Sequence, residues 1–182
     1  MKEKKPMTSE TQVYDCALGI LGSRDYSDKA LAQKLERKGA APEQAAAAIR
    51  KLTDYGILNE RRYAQRVYEA WLAKRCYGRL HLAAELAKKR IRPELAQEVL
   101  AQLTPEEEAE RAEVAACLYV NKNRQKLEAA FLSSDSGNDG GQKQRQKRQK
   151  LLAAASRFMA SHGFSSRYMC AIIEKLRFYG NI

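Results

Sequence analysis

The sequence predicts an all-α protein built as a tandem array of three three-helix repeats, elongated and curved. Composition is the first reason: Ala, Leu, Lys, Glu and Arg abound while only 10 Gly and 4 Pro occur in 182 residues, and the abundant types are strong helix formers. Spacing is the second. Tyr14, Ala17, Leu18 and Leu21 recur at i, i+3, i+4 and i+7, the apolar stripe of a half-buried helix. Internal similarity is the third. A shift of 51 positions carries Leu21 to Leu72, Arg24 to Arg75, Tyr26 to Tyr77, Leu31 to Leu82, Leu35 to Leu86 and Lys38 to Lys89, without a gap. It continues through Pro42 to Pro93, Glu43 to Glu94, Ile49 to Leu100 and Leu52 to Leu103. Such agreement at one offset marks a duplication, and stacked units bury faces that one unit could not cover alone.

The elements follow in order. Residues 1–10 read as a flexible polar leader, and the first repeat spans 11–56. Its first helix breaks at Gly22-Ser23-Arg24-Asp25, and Ser27 is placed to cap the second, which turns Leu31 and Leu35 inward and Lys34, Arg37 and Lys38 outward. Gly39 is suited to end that helix in the left-handed conformation. Pro42 opens a third helix with Ala46, Ile49 and Leu52 inward, ending at Tyr55-Gly56. The second repeat, 57–104, starts with Asn59 as cap and a stripe of Tyr63, Val67, Ala70 and Trp71.

The third repeat, 105–182, opens on Thr104-Pro105-Glu106-Glu107, a capping threonine, a proline at the first position and a carboxylate at the capping-box position. Glu106, Glu107, Glu108 and Glu110 could suggest a metal or catalytic cluster, but acids in a first turn are accounted for by the helix dipole. Val114, Cys117, Leu118 and Leu127 continue the stripe. Residues 133–141 are too rich in Ser, Asp and Gly to pack and read as a flexible insert. Helix resumes through Leu151, Leu152, Ala155, Phe158 and Met159, stops at Gly163, and restarts at a Ser165 cap with Ile172, Ile173 and Leu176 inward. A shift of 124 from the first repeat carries Gly39 to Gly163, Ile49 to Ile173, Leu52 to Leu176 and Tyr55-Gly56 to Tyr179-Gly180.

A formal charge of +11 favours a polyanionic partner. No apolar run is long enough for a signal peptide or a membrane span, so a soluble cytoplasmic monomer is expected. Cys16, Cys76, Cys117 and Cys170 form no C-x-x-C pair and read as buried thiols of a reducing compartment. His81 and His162, the only histidines, stand at no ligand spacing, and His81 reads as a surface residue. Phosphate-loop, dinucleotide and nucleophile-elbow motifs are absent from the sequence. No enzyme, metal or cofactor is expected.

The basic residues carry the functional reading. The candidate contact residues are Arg24, Lys34, Arg37 and Lys38 in the first repeat and Arg75, Arg79, Lys89 and Arg90 in the second, with Arg24 and Lys38 matched by the shift to Arg75 and Lys89. Lys88 and Arg92, at i and i+4 and flanked by Lys89 and Arg90, would share one helix sector. Lys143, Arg145, Lys147, Arg148 and Lys150 form a secondary run without an acid. A single basic face is usually only solvated. A stripe recurring in successive repeats would line one side of the array and meet a long polyanionic or filamentous partner. Tyr26 and Tyr77 precede helix starts and suit an apolar staple, while Trp71 falls on the inner stripe.

Arg62-Tyr63-Ala64-x-Arg66-Val67, then Lys74-Arg75-x-Tyr77-Gly78, Leu82, Glu85-Leu86 and Ile91, resemble the RecX family of bacterial recombination regulators. Tyr26-Ser27-x-x-x-Leu31-x-x-Lys34-Leu35-x-x-Lys38-Gly39 resembles that family's opening motif. The resemblance covers 14–103 well and the third repeat more loosely, and the 133–141 insert with its basic run departs from it. It implies three tandem three-helix repeats lodged along the RecA recombinase filament on DNA. It further implies limits on filament extension, ATPase, strand exchange and coprotease activity, with sequence-independent contact to single- or double-stranded DNA. A helix-turn-helix module that reads DNA or RNA directly is the competing expectation.

Overall fold

The computed structural model of the chain describes residue 7 and residues 9–131 and 140–178. The described residues form nine α-helices, one 3-10 turn and no strand. Each helix starts where a side chain can satisfy its first amides. Ser9 caps α1 (Glu10–Leu21), accepting from Thr11 N at 3.3 Å, and Ser27 caps α2 (Asp28–Arg37), accepting from Ala30 N at 3.3 Å. Pro42 holds the first position of α3 (Pro42–Asp54). Asn59 Oδ1 accepts from Arg62 N at 2.8 Å to open α4 (Glu60–Leu72). Next come α5 (Arg79–Lys88) and α6 (Pro93–Ala101). At α7 (Pro105–Phe131) the capping box closes both ways: Glu107 N donates to Thr104 Oγ1 at 3.1 Å and Thr104 N to Glu107 Oε2 at 3.0 Å. Then come α8 (Gly140–Ser161), the 3-10 turn (Ser166–Tyr168) and α9 (Met169–Phe178). Ser165 precedes that turn without a side-chain capping bond.

Two compact units emerge, Met1–Ala70 with Ala84–Val99 and Trp71–Ala83 with Leu100–Ile182. The division cuts the middle repeat, so α4, α5 and α6 each give residues to both. In the first unit α1 and α2 pack on α3, enclosing Val13, Ala17, Leu31, Leu35, Ala45 and Leu52. In the second, α7 packs against α8 and α9 around Ala112, Ala115, Ala116, Tyr119, Met159 and Ile172.

The sequence periodicity is a good guide to helices and a poor one to their rotation. In α3 the buried line is Ala45, Ala48 and Leu52, with Ala46 exposed. In α4 it is Ala64, Tyr68 and Trp71, with Ala70 exposed. The largest correction is α7. Val114 and Leu118 are 41% and 49% exposed and Cys117 is exposed, while small residues and Tyr119 face the core. Small side chains let two helices approach α7 closely, and that contact outweighs burying two isolated aliphatics. The flexible insert expected at 133–141 lies outside the described residues up to 139, and Gly140 already begins α8. Tyr179-Gly180, the last pair of the third-repeat alignment, also lies outside them.

The repeat reappears in backbone geometry. The residues that end the second helix of each repeat are Gly39, Arg90 and Gly163, and all three are left-handed, with φ of 103°, 59° and 81°. Those are the positions related by the two sequence shifts. Within the first unit, the Ser27 hydroxyl at the head of α2 donates to Lys89 O, at the tail of α5, at 2.7 Å. Within the second, Gly78 at the head of α5 donates its N–H to His162 O, at the tail of α8, at 2.8 Å. A Cβ at Gly78 would lie 2.5 Å from Gly163 O, and one at Gly163 would lie 2.2 Å from His81 N. Glycine is needed on both sides of that approach.

Candidate functional site

Two buried carboxylates position the basic residues. Glu60, 4% exposed on α4, accepts from Arg92 N at 3.2 Å and Arg92 Nε at 2.6 Å. Burial, with Asp28 nearby, pushes its carboxyl above the usual range even though Arg92 pulls it down. The same hydrogen bond holds the Arg92 guanidinium above its ordinary value. The pair itself is attractive; loss of water around Glu60 is the larger effect on the carboxylate. Glu108, 2% exposed on α7, accepts from Arg79 N at 2.8 Å and from the Tyr168 hydroxyl at 3.2 Å. Arg167 lies 3.7 Å away. In both cases an acid on the first helix of one repeat meets an arginine at the head of that repeat's third helix. Neither acid stands out in the sequence, where Glu108 reads as one of four first-turn acids.

In the first repeat the structure gathers Arg24 and Lys34 on one phenol. Arg24 Nε donates to Tyr26 Oη at 2.6 Å and Lys34 Nζ donates to it at 2.5 Å. Both cations also lie over the ring, at 5.0 and 4.7 Å from its centroid. Burial alone would raise the Tyr26 phenol, but the bonds from Lys34 and Arg24 outweigh it and hold the group below the usual tyrosine value. Asp25, next in sequence, pairs with Arg66. Arg37 and Lys38 are exposed at the far end of α2.

The second repeat does not copy this cluster. Arg75 is exposed, with φ of 50°, and the position equivalent to Lys34 is Glu85, which pairs with Lys88 at 3.9 Å. Tyr77 packs against His81 and His162, ring centroids 4.0 and 5.0 Å away. His81 is thus not a free surface residue: it is half-buried, and its Nδ1 accepts from Trp71 Nε1 at 3.2 Å. Arg79 is drawn inward. Besides Glu108, its guanidinium donates to Leu100 O at 2.6 Å and to Leu103 O, closing the end of α6. Lys89 and Arg90 are exposed.

Lys88 and Arg92 do not share a helix sector. α5 ends at Lys88, Arg90 turns left-handed and α6 starts at Pro93. The basic cluster is therefore a turn, with Arg92 held by Glu60. On α8, Lys143, Lys147 and Lys150 follow one line and Arg145 and Arg148 another, with Arg148 Nε donating to Ala130 O at 3.0 Å. The run is two-sided, and Arg148 helps attach α8 to α7.

Exposed cations on fixed backbone, with an aromatic ring among them, can bind oxyanions and release counterions. Among the described residues no three His, Cys, Asp or Glu could hold a metal ion, and no helix is long and apolar enough to cross a membrane.

The sequence description "RecX, first three-helix domain" matches residues 14–52. The chain is 36% identical over 110 residues to "Regulatory protein RecX" of Trichlorobacter lovleyi, covering 58% of this chain and 71% of that protein. The like-named protein of Syntrophotalea carbinolica is 31% identical over 109 residues, 59% of this chain and 69% of its own length. A crystal structure of RecX from Lactobacillus salivarius superimposes with a TM-score of 0.68 at 20% identity, covering 93% of this chain and 97% of that one. That likeness shows a shared fold.

Proposed function

Since the chain belongs to the RecX family of regulatory proteins, we propose that it binds the RecA recombinase filament on DNA and restrains filament extension, ATP hydrolysis, strand exchange and coprotease activity. The observation that carries this reading is the repeated exposure of cations at matching places. Lys38 and Lys89 close the second helices of their repeats, and Arg24 and Arg75 precede them. Arg37 and Arg90 extend the set; Arg79 leaves it, because its donors are taken by Glu108, Leu100 and Leu103. The remaining cations meet acidic side chains of the filament or DNA phosphates irrespective of base sequence. Several modest contacts from one chain add through effective concentration. The protein acts as a monomer and by binding, without a reaction of its own.

Titrating RecA's DNA-dependent ATP hydrolysis with the protein tests this. Hydrolysis should fall as the protein approaches stoichiometry. The double reversal Lys89→Glu, Arg90→Glu should weaken inhibition about tenfold at low salt and flatten its salt dependence. Helicity should persist, because Ser27 bonds the Lys89 main-chain carbonyl, which the substitution keeps. Unchanged hydrolysis at stoichiometric amounts, with tight binding to one duplex sequence, would defeat the reading in favour of a direct sequence-reading module.

A further inference from the structure

The Tyr26 cluster is more than one face of a solvated helix. A neutral phenol has two acceptor lone pairs and one proton. Arg24 Nε and Lys34 Nζ occupy the oxygen at 2.6 and 2.5 Å, so the phenol proton points away from both cations. Holding two positive charges on one oxygen costs Coulomb energy, which an approaching anion relieves. Asp25 does not supply that charge at Tyr26, being paired with Arg66. The phenol's lowered affinity for its proton agrees with a polarised outward donor.

We propose that Arg24, Lys34 and the Tyr26 hydroxyl form a subsite for one phosphodiester of a nucleic-acid backbone. Two cations and a hydroxyl donor sit side by side there, within hydrogen-bond distance of one oxygen, and such a cluster suits a group with several exposed oxygens. Arg24 has turned its Nε edge to Tyr26, which leaves its terminal amino groups to donate outward. The second repeat does not copy the subsite. In the second, Glu85 stands where Lys34 would be, and Tyr77 is engaged by His81 and His162. The Lys89 main chain lies beside the cluster, since Ser27, next to Tyr26, bonds the Lys89 carbonyl. This deepens the reading above, on which it rests for the presence of DNA in the complex.

The test is binding of the full chain to a short fluorescent oligothymidylate, by anisotropy across a chloride series, beside the RecA ATPase titration. Arg24→Gln, Lys34→Gln together should weaken binding about tenfold and reduce the slope of log affinity against log salt by about one. Tyr26→Phe keeps the ring and both cations, and should weaken binding about threefold at unchanged slope, because the lost donor is neutral. Circular dichroism checks that each variant is folded, and Lys34→Gln alone, expected to lower both affinity and slope, replaces the double variant if that one unfolds. Wild-type affinity and slope in the charge variants would overturn the subsite, as would a wild-type chain that binds no oligothymidylate. Loss of ATPase inhibition at an unchanged salt slope would also overturn it, assigning the cations to a protein partner. A slope that depends on the pair in a chain that leaves RecA unaffected would sink the regulatory reading and uphold the subsite.

Discussion

Glu60 is a carboxylate whose position and charge work against each other. Its oxygens fix the head of α6 through Arg92 N and Nε, yet burial and Asp28 hold its pKa above the ordinary carboxyl value of 4.5. A folded-state pKa raised above the unfolded one means that the folded chain binds the proton more tightly. The associated stability is fully present below the unfolded value and is lost as pH rises through the raised one. Glu60→Gln keeps an acceptor for Arg92 but removes that titration. Urea unfolding should therefore show the stability of Glu60→Gln, relative to the parent, improving as pH is taken from just below 4.5 towards neutrality. A difference that stays flat over that range would mean that Glu60 is as well solvated as a surface acid. Such a residue is illegible in sequence because its partner is 32 positions away. The Glu108 bond to Arg79, 29 positions away, is hidden for the same reason.

Helix boundaries are a different matter, because caps are local. Ser27, Gly39, Pro42, Asn59 and the Thr104–Glu107 pair all act within a few positions of themselves, so their roles can be read directly. Rotation about the helix axis is less legible. In α3 the run Ala45-Ala46-Ala47-Ala48 offers the same side chain on every face, and in α7 the small residues rather than the larger Val114 and Leu118 decide the buried side. The left-handed residue after each second helix makes the element scale testable. Gly163→Ala must place a Cβ at φ of 81° within 2.2 Å of His81 N, combining left-handed strain with a main-chain clash. It should cost about 3 kcal/mol in chemical unfolding. Arg90 occupies the same conformation with a full side chain, φ 59°, and Arg90→Gly should instead stabilise by up to about 1 kcal/mol. Equal responses at the two positions would show that these turns are not equivalent.

At the scale of the molecule, the repeat and the folding unit need not coincide. Sequence similarity divides the chain into 11–56, 57–104 and 105–182, whereas compactness assigns Trp71–Ala83 to the same unit as Leu100–Ile182. Half-open repeats bury their faces against the next repeat, so a unit that folds together can straddle two of them. Trp71, the single tryptophan, reports on this. It is 2% exposed, hydrogen-bonded to His81 and covered by the Arg111 guanidinium 4.3 Å from its ring. A fragment spanning 1–104 retains the whole second repeat but loses Arg111 and α7. If the compact units are the folding units, that fragment should keep the helicity of α1, α2 and α3 while Trp71 emission shifts to the red, as the indole loses its cover. Its α1–α3 core should still unfold cooperatively. Blue emission in the fragment, with a single transition including Trp71, would instead make the sequence repeat the unit of folding.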